Sequence, residues 1–217
     1  VTFVKTGQSK HRPKRKSTPA PNTERLNRSP RSRVISGTRP MTEQLILVNQ
    51  HNRAVGCGEK YAVHAAGLLH RAFSIFLVDA DGRILLQQRS KEKYHSGGLW
   101  ANSCCGHPRP GETTLRAAER RLGEELGATT KLRFGFRAHY RAAFANGLAE
   151  NEIVYVFFGV VPEKLRPHPA EVAAVAFRDF AALKRDATRN PEHYVFWLHH
   201  YLTRHDREIR AGLRGVW

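Results

Sequence analysis

Residues 106–127 read Gly-His-Pro-Arg-Pro-Gly-Glu-Thr-Thr-Leu-Arg-Ala-Ala-Glu-Arg-Arg-Leu-Gly-Glu-Glu-Leu-Gly, and this stretch decides the fold. A loop feeds a helix expected over residues 113–126. Thr113 marks its start, Leu115, Ala118, Leu122 and Leu126 recur on one face, and Gly127 stops it. Behind Gly106, the polar positions Glu112, Arg120, Glu124 and Glu125 recur at wide, fixed intervals, closed by Gly127. Several carboxylates projecting from one loop and helix suit Mg²⁺, whose preferred ligands are hard oxygens. The plainer alternative is a solvated helix laced by ion pairs of the Arg121–Glu125 kind.

Working outward, Gly97-Gly98 breaks the chain before a short strand near residues 99–104. Residues 72–78 are strongly apolar, and Asp79-Ala80-Asp81-Gly82 turns them into residues 83–88, a hairpin pattern. Residues 45–48 form a further short strand candidate. Beyond Gly127, residues 132–143 and 152–161 read as long strands and 175–177 as a shorter one. Helices are expected near 180–185 and 193–209. No internal repeat is visible. The sum is one mixed α/β domain over residues 41–217, a sheet covered by helices.

The charge is lopsided. The chain carries 36 Lys and Arg against 19 Asp and Glu, a formal net charge of +17. Residues 1–40 hold 11 of the bases and one acid, Glu24, leaving 25 bases against 18 acids in residues 41–217. Those first 40 residues lack apolar periodicity and cannot bury enough surface to offset ordering entropy, so they read as a disordered basic tail. Met41 is the only methionine and stands where the composition turns globular, as a start of the functional protein would. The other readings of the tail are a phosphate-binding arm and a transit-like peptide. No apolar run approaches the roughly 20 residues that span a bilayer. Three cysteines, two of them adjacent, are no disulfide framework and point to a reducing, cytoplasmic compartment.

A second set of residues is scattered: His64, His70, His107, Glu150 and Glu152. No one element gathers them, although Glu150 and Glu152, two apart at a strand start, point to one face. Imidazole with carboxylate suits Zn²⁺, Mn²⁺ or Fe²⁺. Taken singly, each histidine is more often structural or solvent-exposed than a ligand.

Residues 106–127 resemble the Nudix signature, which runs Gly, Glu, Arg-Glu-apolar, then Glu-Glu-x-Gly. Gly106, Glu112, Arg120, Leu122, Glu124, Glu125 and Gly127 match in place; Arg121 stands where the signature has glutamate. In Nudix hydrolases that glutamate helps gather the metals for diphosphate cleavage, so its loss puts hydrolysis in doubt. Four further segments, Tyr61–His64, His70–Ser74, Leu99–Pro108 and Glu150–Glu152, are similar to type I isopentenyl-diphosphate isomerases, a Nudix-fold branch. That resemblance runs from about Met41 to the helix holding Trp197 and implies a Nudix-type α/β/α sandwich with a mixed sheet.

Carried over residue by residue, the resemblance implies a five-ligand metal site of His64, His70, His107, Glu150 and Glu152. It implies Cys105 and Glu152 as the catalytic pair, and Glu125 as the acid that helps hold Mg²⁺ on the substrate diphosphate. Tyr140 and Trp197 match aromatic positions beside the reacting carbons, and Lys60, Arg89 and Lys93 basic positions that contact the diphosphate. The implied cofactors are Mg²⁺ with the substrate and a second divalent ion, Mn²⁺, Zn²⁺ or Mg²⁺, at the His/Glu site. The implied partner is a small diphosphate, with no obligate nucleic acid and no membrane span; no oligomeric state follows. The implied reaction shifts a double bond between isopentenyl and dimethylallyl diphosphate, for isoprenoid biosynthesis. If residues 103–105 are extended, neighbours face opposite ways, so one thiol alone faces the cleft. The family pattern selects Cys105, leaving Cys104 a small buried filler. Two rivals stand: a Nudix pyrophosphohydrolase of a nucleotide-type diphosphate, and a basic RNA-binding protein using the tail as an electrostatic arm. The globular part shows no aromatic-basic RNA motif.

Overall fold

The computed structural model describes residues 43–216; the expected tail over residues 1–40 and the start at Met41 lie outside them. Among the described residues the elements are β1 (Gln44–Val48), β2 (Ala54–Glu59), α1 (Lys60–Ala65), β3 (His70–Val78), β4 (Ile84–Arg89), β5 (Trp100–Ala101), β6 (Cys104–Gly106), α2 (Thr114–Leu126), β7 (Arg133–Ala143), β8 (Ala149–Val160), β9 (Val172–Arg178), α3 (Phe180–Arg189), α4 (Phe196–Arg204) and α5 (Asp206–Arg214).

The sheet is built around β3, whose residues are buried except for half-buried Arg71. Successive side chains of a strand point to opposite faces. Ala72, Phe76 and Val78 therefore join one core with Phe180, Leu198 and Tyr201 from the C-terminal helices. Phe73, Ile75 and Leu77 join the other, with Ala118, Leu122 and Leu126 of α2. A strand covered on both faces reads as an unbroken apolar run rather than an alternating one, which is how this one appears in the sequence. The result is a helix–sheet–helix sandwich with a mixed sheet, as expected.

Register then fixes the site. β3 runs parallel to β8 with His70 opposite Glu152, and antiparallel to β6 with Ser74 opposite Cys105. β7 pairs antiparallel with β8, setting Tyr140 opposite Glu152. Three strand pairings thus bring residues far apart in sequence to one end of the sheet.

The helix expected over 113–126 forms as α2, with Thr113 accepting from the Arg116 N–H at 3.3 Å and Gly127 at φ 57° closing it. Its buried arc holds Ala117, Ala118, Leu122, Glu125 and Leu126. Leu115, expected inward, lies at the border of that arc and is exposed. The expected hairpin is antiparallel, but β3 and β4 pair only at Val78 and Ile84; beyond that, β6 lies against β3 and β9 against β4. The strand expected at 99–104 is split into β5 and β6. Between them Asn102 Nδ2 donates to the Ile75 carbonyl at 3.0 Å and Ser103 Oγ to that of Leu85 at 2.6 Å, so side chains replace the ladder. The helix expected at 193–209 is two helices broken at His205, where the backbone leaves the helical region (φ −129°, ψ 27°). Asp206 and Glu208 in the first turn favour a fresh helix N-terminus there. β2 and the six-residue α1 had no counterpart in the sequence reading. β2 is largely exposed and carries two glycines, and α1 is too short to show a helical period.

Candidate active site

α1 carries His64, β3 begins with His70, the segment after β6 carries His107, and β8 begins near Glu150 and Glu152. All five are buried, and one ligand atom from each lies within 4.8 Å of every other. His64 Nδ1 donates to the Lys60 carbonyl at 2.6 Å and His70 Nδ1 to that of Leu68 at 2.8 Å. A carbonyl only accepts, so both rings hold a proton on Nδ1 and turn Nε2 inward. There, His64 Nε2 lies 3.2 Å from Glu150 Oε2, His70 Nε2 3.4 Å from Glu152 Oε1, and His107 Nε2 2.8 Å from Glu152 Oε1.

His64 Nε2, His70 Nε2 and Glu150 Oε2 are buried without a hydrogen-bond partner among the described residues. Polar atoms in that condition are costly unless something else satisfies them. Three imidazoles and two carboxylates with inward ligand atoms fit a divalent cation. Burial holds the His107 imidazole down, against the pull of Glu152. Burial pushes the Glu150 and Glu152 carboxyls up, but neighbouring histidines outweigh it and hold both below the usual carboxylate range. Burial pushes the His64 imidazole down, but Glu150 outweighs it and holds that ring up.

Beside it opens a cleft. Cys105, Glu152, Tyr140 and Trp197 line it, as do Lys60, Arg89 and Lys93, so every expected site residue outside the five-residue cluster, Glu125 included, reaches the same space. Cys105 Sγ lies 3.3 Å from both Asn102 Oδ1 and Ser74 Oγ, and Ser74 Oγ is 2.9 Å from Tyr201 Oη. Burial pushes the Cys105 thiol up to about 12, with Ser74 and Asn102 offsetting part of the rise. Glu152 Oε2 accepts from Tyr140 Oη at 2.5 Å. Arg89 stacks over the Trp197 ring, 5.3 Å from its centroid.

Cys104 faces the opposite way, fully buried in the core under α2. It is more than a filler, since its thiol donates to Glu125 Oε2 at 3.5 Å. Glu125 is buried. It also accepts from Gln87 Nε2 at 3.0 Å and is ion-paired with Arg121. Arg121 lies 2.8 Å from Glu124 and 3.0 Å from Glu171, which also pairs with Lys93. The arginine in place of the signature glutamate thus neutralises the neighbouring acids and lines the cleft itself. The Arg121–Glu125 pair is of the kind the sequence suggested; the roles of Ser74, Asn102 and His95 were not read from it. Ser74 lay within reach, four residues beyond His70 on the same strand face; His95 has no spacing that announces it.

The NUDIX domain family matches residues 68–198. Over 157 residues the chain is 48% identical to the isopentenyl-diphosphate Delta-isomerase of Serratia proteamaculans, covering 72% of this chain and 88% of that one. It is 48% identical over 159 residues to the isopentenyl-diphosphate Delta-isomerase of Burkholderia multivorans, covering 73% and 90%. Among solved structures, DR0079 from Deinococcus radiodurans matches with a TM-score of 0.61 at 20% identity, over 75% of this chain and 98% of that one, a likeness of fold.

Proposed function

Since the chain belongs to the NUDIX family, among its isopentenyl-diphosphate Delta-isomerases, we propose that it interconverts isopentenyl and dimethylallyl diphosphate for isoprenoid biosynthesis, with Cys105 and Glu152 moving the protons. The observation that carries the residue assignment is a single cleft lined by both groups, beside three histidines and two glutamates converging within 4.8 Å.

The reaction sets three demands. An unactivated alkene gains a proton at one carbon and loses one at another, so an acid and a base must face each other across a five-carbon unit. Water must be kept from the tertiary carbocation between the two steps. Positive charge must be stabilised without a nucleophile.

Burial keeps the Cys105 thiol protonated and the histidines keep Glu152 ionised, so the pair supplies one donor and one acceptor. Tyr140 and Trp197, both buried, enclose the carbon end; an aromatic face over a dry cation contributes roughly 0.5–2 kcal/mol. Lys60, Arg89, Lys93 and Arg121 give the cleft a cationic side suited to a diphosphate. A divalent ion, Mn²⁺, Zn²⁺ or Mg²⁺, held by His64, His70, His107, Glu150 and Glu152 would fix the Glu152 carboxylate and shift its proton affinity. Mg²⁺ is proposed to accompany the diphosphate, with Glu125 as its protein ligand once Arg121 turns toward phosphate.

Hydrolysis is disfavoured because Arg121 stands where the signature has a glutamate, which leaves one carboxylate fewer to gather metals for cleavage. With Mg²⁺ present, isopentenyl diphosphate should yield dimethylallyl diphosphate, and nucleoside diphosphate derivatives should release no phosphate. Phosphate release without allylic product would overturn the proposal.

A further inference from the structure

Residues 90–99 link β4 to β5, and His95 among them lies against the histidine–glutamate cluster. His95 on this loop is buried, its ring stacked on Phe144 with centroids 4.7 Å apart and planes 10° from parallel. Its Nε2 stands 3.0 Å from Glu150 Oε1. The other oxygen of that carboxylate, Oε2, faces His64 and His70 at 3.2 and 3.8 Å. The two oxygens of Glu150 thus face different histidines, Oε1 His95 and Oε2 His64 and His70.

We propose that His95 is a positioning residue of the metal centre. Its ring N–H fixes the Glu150 carboxylate with Oε2 aimed at the ion, and this joins the loop that carries Lys93 into the cleft to the metal site. The inference rests on the reading of the five-residue cluster as a metal site.

The backbone around His95 is shaped for aim. Ser96, directly after it, has φ 52°, a left-handed conformation that costs a residue with a side chain roughly 1–3 kcal/mol. A Cβ on Gly97 would stand 2.6 Å from the Lys91 carbonyl oxygen, so only glycine lets the loop close. Arg89 Nη2 donates to the His95 carbonyl at 3.2 Å, and Asn146 Nδ2 to that of Tyr94 at 3.0 Å. Strain held in place by this many contacts, at a turn that presents one histidine inward, is accounted for by what the histidine touches.

Partners behind a metal ligand typically set affinity by roughly 10–100-fold. The test is titration of the full chain with Mn²⁺ alone, following free Mn²⁺ by EPR. His95→Phe keeps a ring on Phe144 and removes the N–H; His95→Gln keeps an amide N–H near the place of Nε2. The Kd for Mn²⁺ should rise roughly 10–100-fold in His95→Phe and return most of the way in His95→Gln. Unchanged affinity in His95→Phe overturns the role of His95 and leaves the metal site standing. Failure of the unaltered chain to bind Mn²⁺ overturns the metal reading, and this proposal with it. Circular dichroism reads the fold; should His95→Phe not fold, His95→Met carries the same expectation.

Discussion

Cys104 and Cys105 are neighbours in sequence with opposite surroundings, because an extended pair turns successive side chains to opposite faces. One sits in the core beneath α2 and bonds Glu125; the other lines the cleft beside Ser74 and Asn102. Cys105→Ala should lower turnover by roughly 10²–10⁴-fold, the usual share of a general acid or base. Cys104→Ala should keep most activity and cost about 1 kcal/mol of stability through the small cavity it leaves. Equal loss of turnover in both would contradict the assignment. The pH dependence follows from the raised thiol. A cysteine in an unfolded peptide ionises near pH 8.5, so its alkylation by iodoacetamide levels off above about pH 9. Cys105, pushed up to about 12 by burial, stays neutral through that range, and its labelling should still be climbing at pH 10. A plateau at pH 9, read at that residue by mass spectrometry, would show that burial does not hold the thiol protonated.

At the scale of elements, α2 shows what sequence reading reaches. Its start at Thr113 and its stop at Gly127 were legible because capping chemistry is local. Gly127 has φ 57°, and a Cβ there would stand 2.8 Å from Arg166 Cβ. Gly127→Ala should cost about 1–3 kcal/mol, seen as a lower urea midpoint at unchanged slope; an unshifted midpoint would contradict the strain. The break at His205 and the split of β5 from β6 were not legible. Both depend on partners distant in sequence: Asn102 and Ser103 leave the strand path to bond the Ile75 and Leu85 carbonyls. The same limit governed the site. Glu150 and Glu152 share a face by strand period alone, whereas His70 meets Glu152 through a parallel register between strands some eighty residues apart. Spacing alone left the five residues scattered, and it was their resemblance to a family that gathered them. His95 was missed because its role exists only after the loop is packed.

For the whole molecule, the five-residue cluster joins α1, β3, the segment after β6 and β8, so an ion bound there would fasten separate parts of the sheet end together. Binding at about 100 times the dissociation constant stabilises a fold by about 2.7 kcal/mol, and each kcal/mol is worth roughly 2–4 °C in a domain of this size. Chelation should therefore lower the melting temperature by several degrees, and matching melting curves with and without chelator would argue against a bound ion. Among the described residues no helix is long and apolar enough to cross a membrane. As proposed, this cleft moves a proton onto one carbon and off another while the diphosphate stays whole. The direct measurement is NMR of isopentenyl diphosphate incubated with the protein and Mg²⁺ in D₂O. Dimethylallyl diphosphate should appear with deuterium in a methyl group, and the diphosphate phosphorus signals should remain those of an intact ester. Substrate that stays protonated and unrearranged, or free inorganic phosphate in its place, would contradict proton transfer with an intact diphosphate.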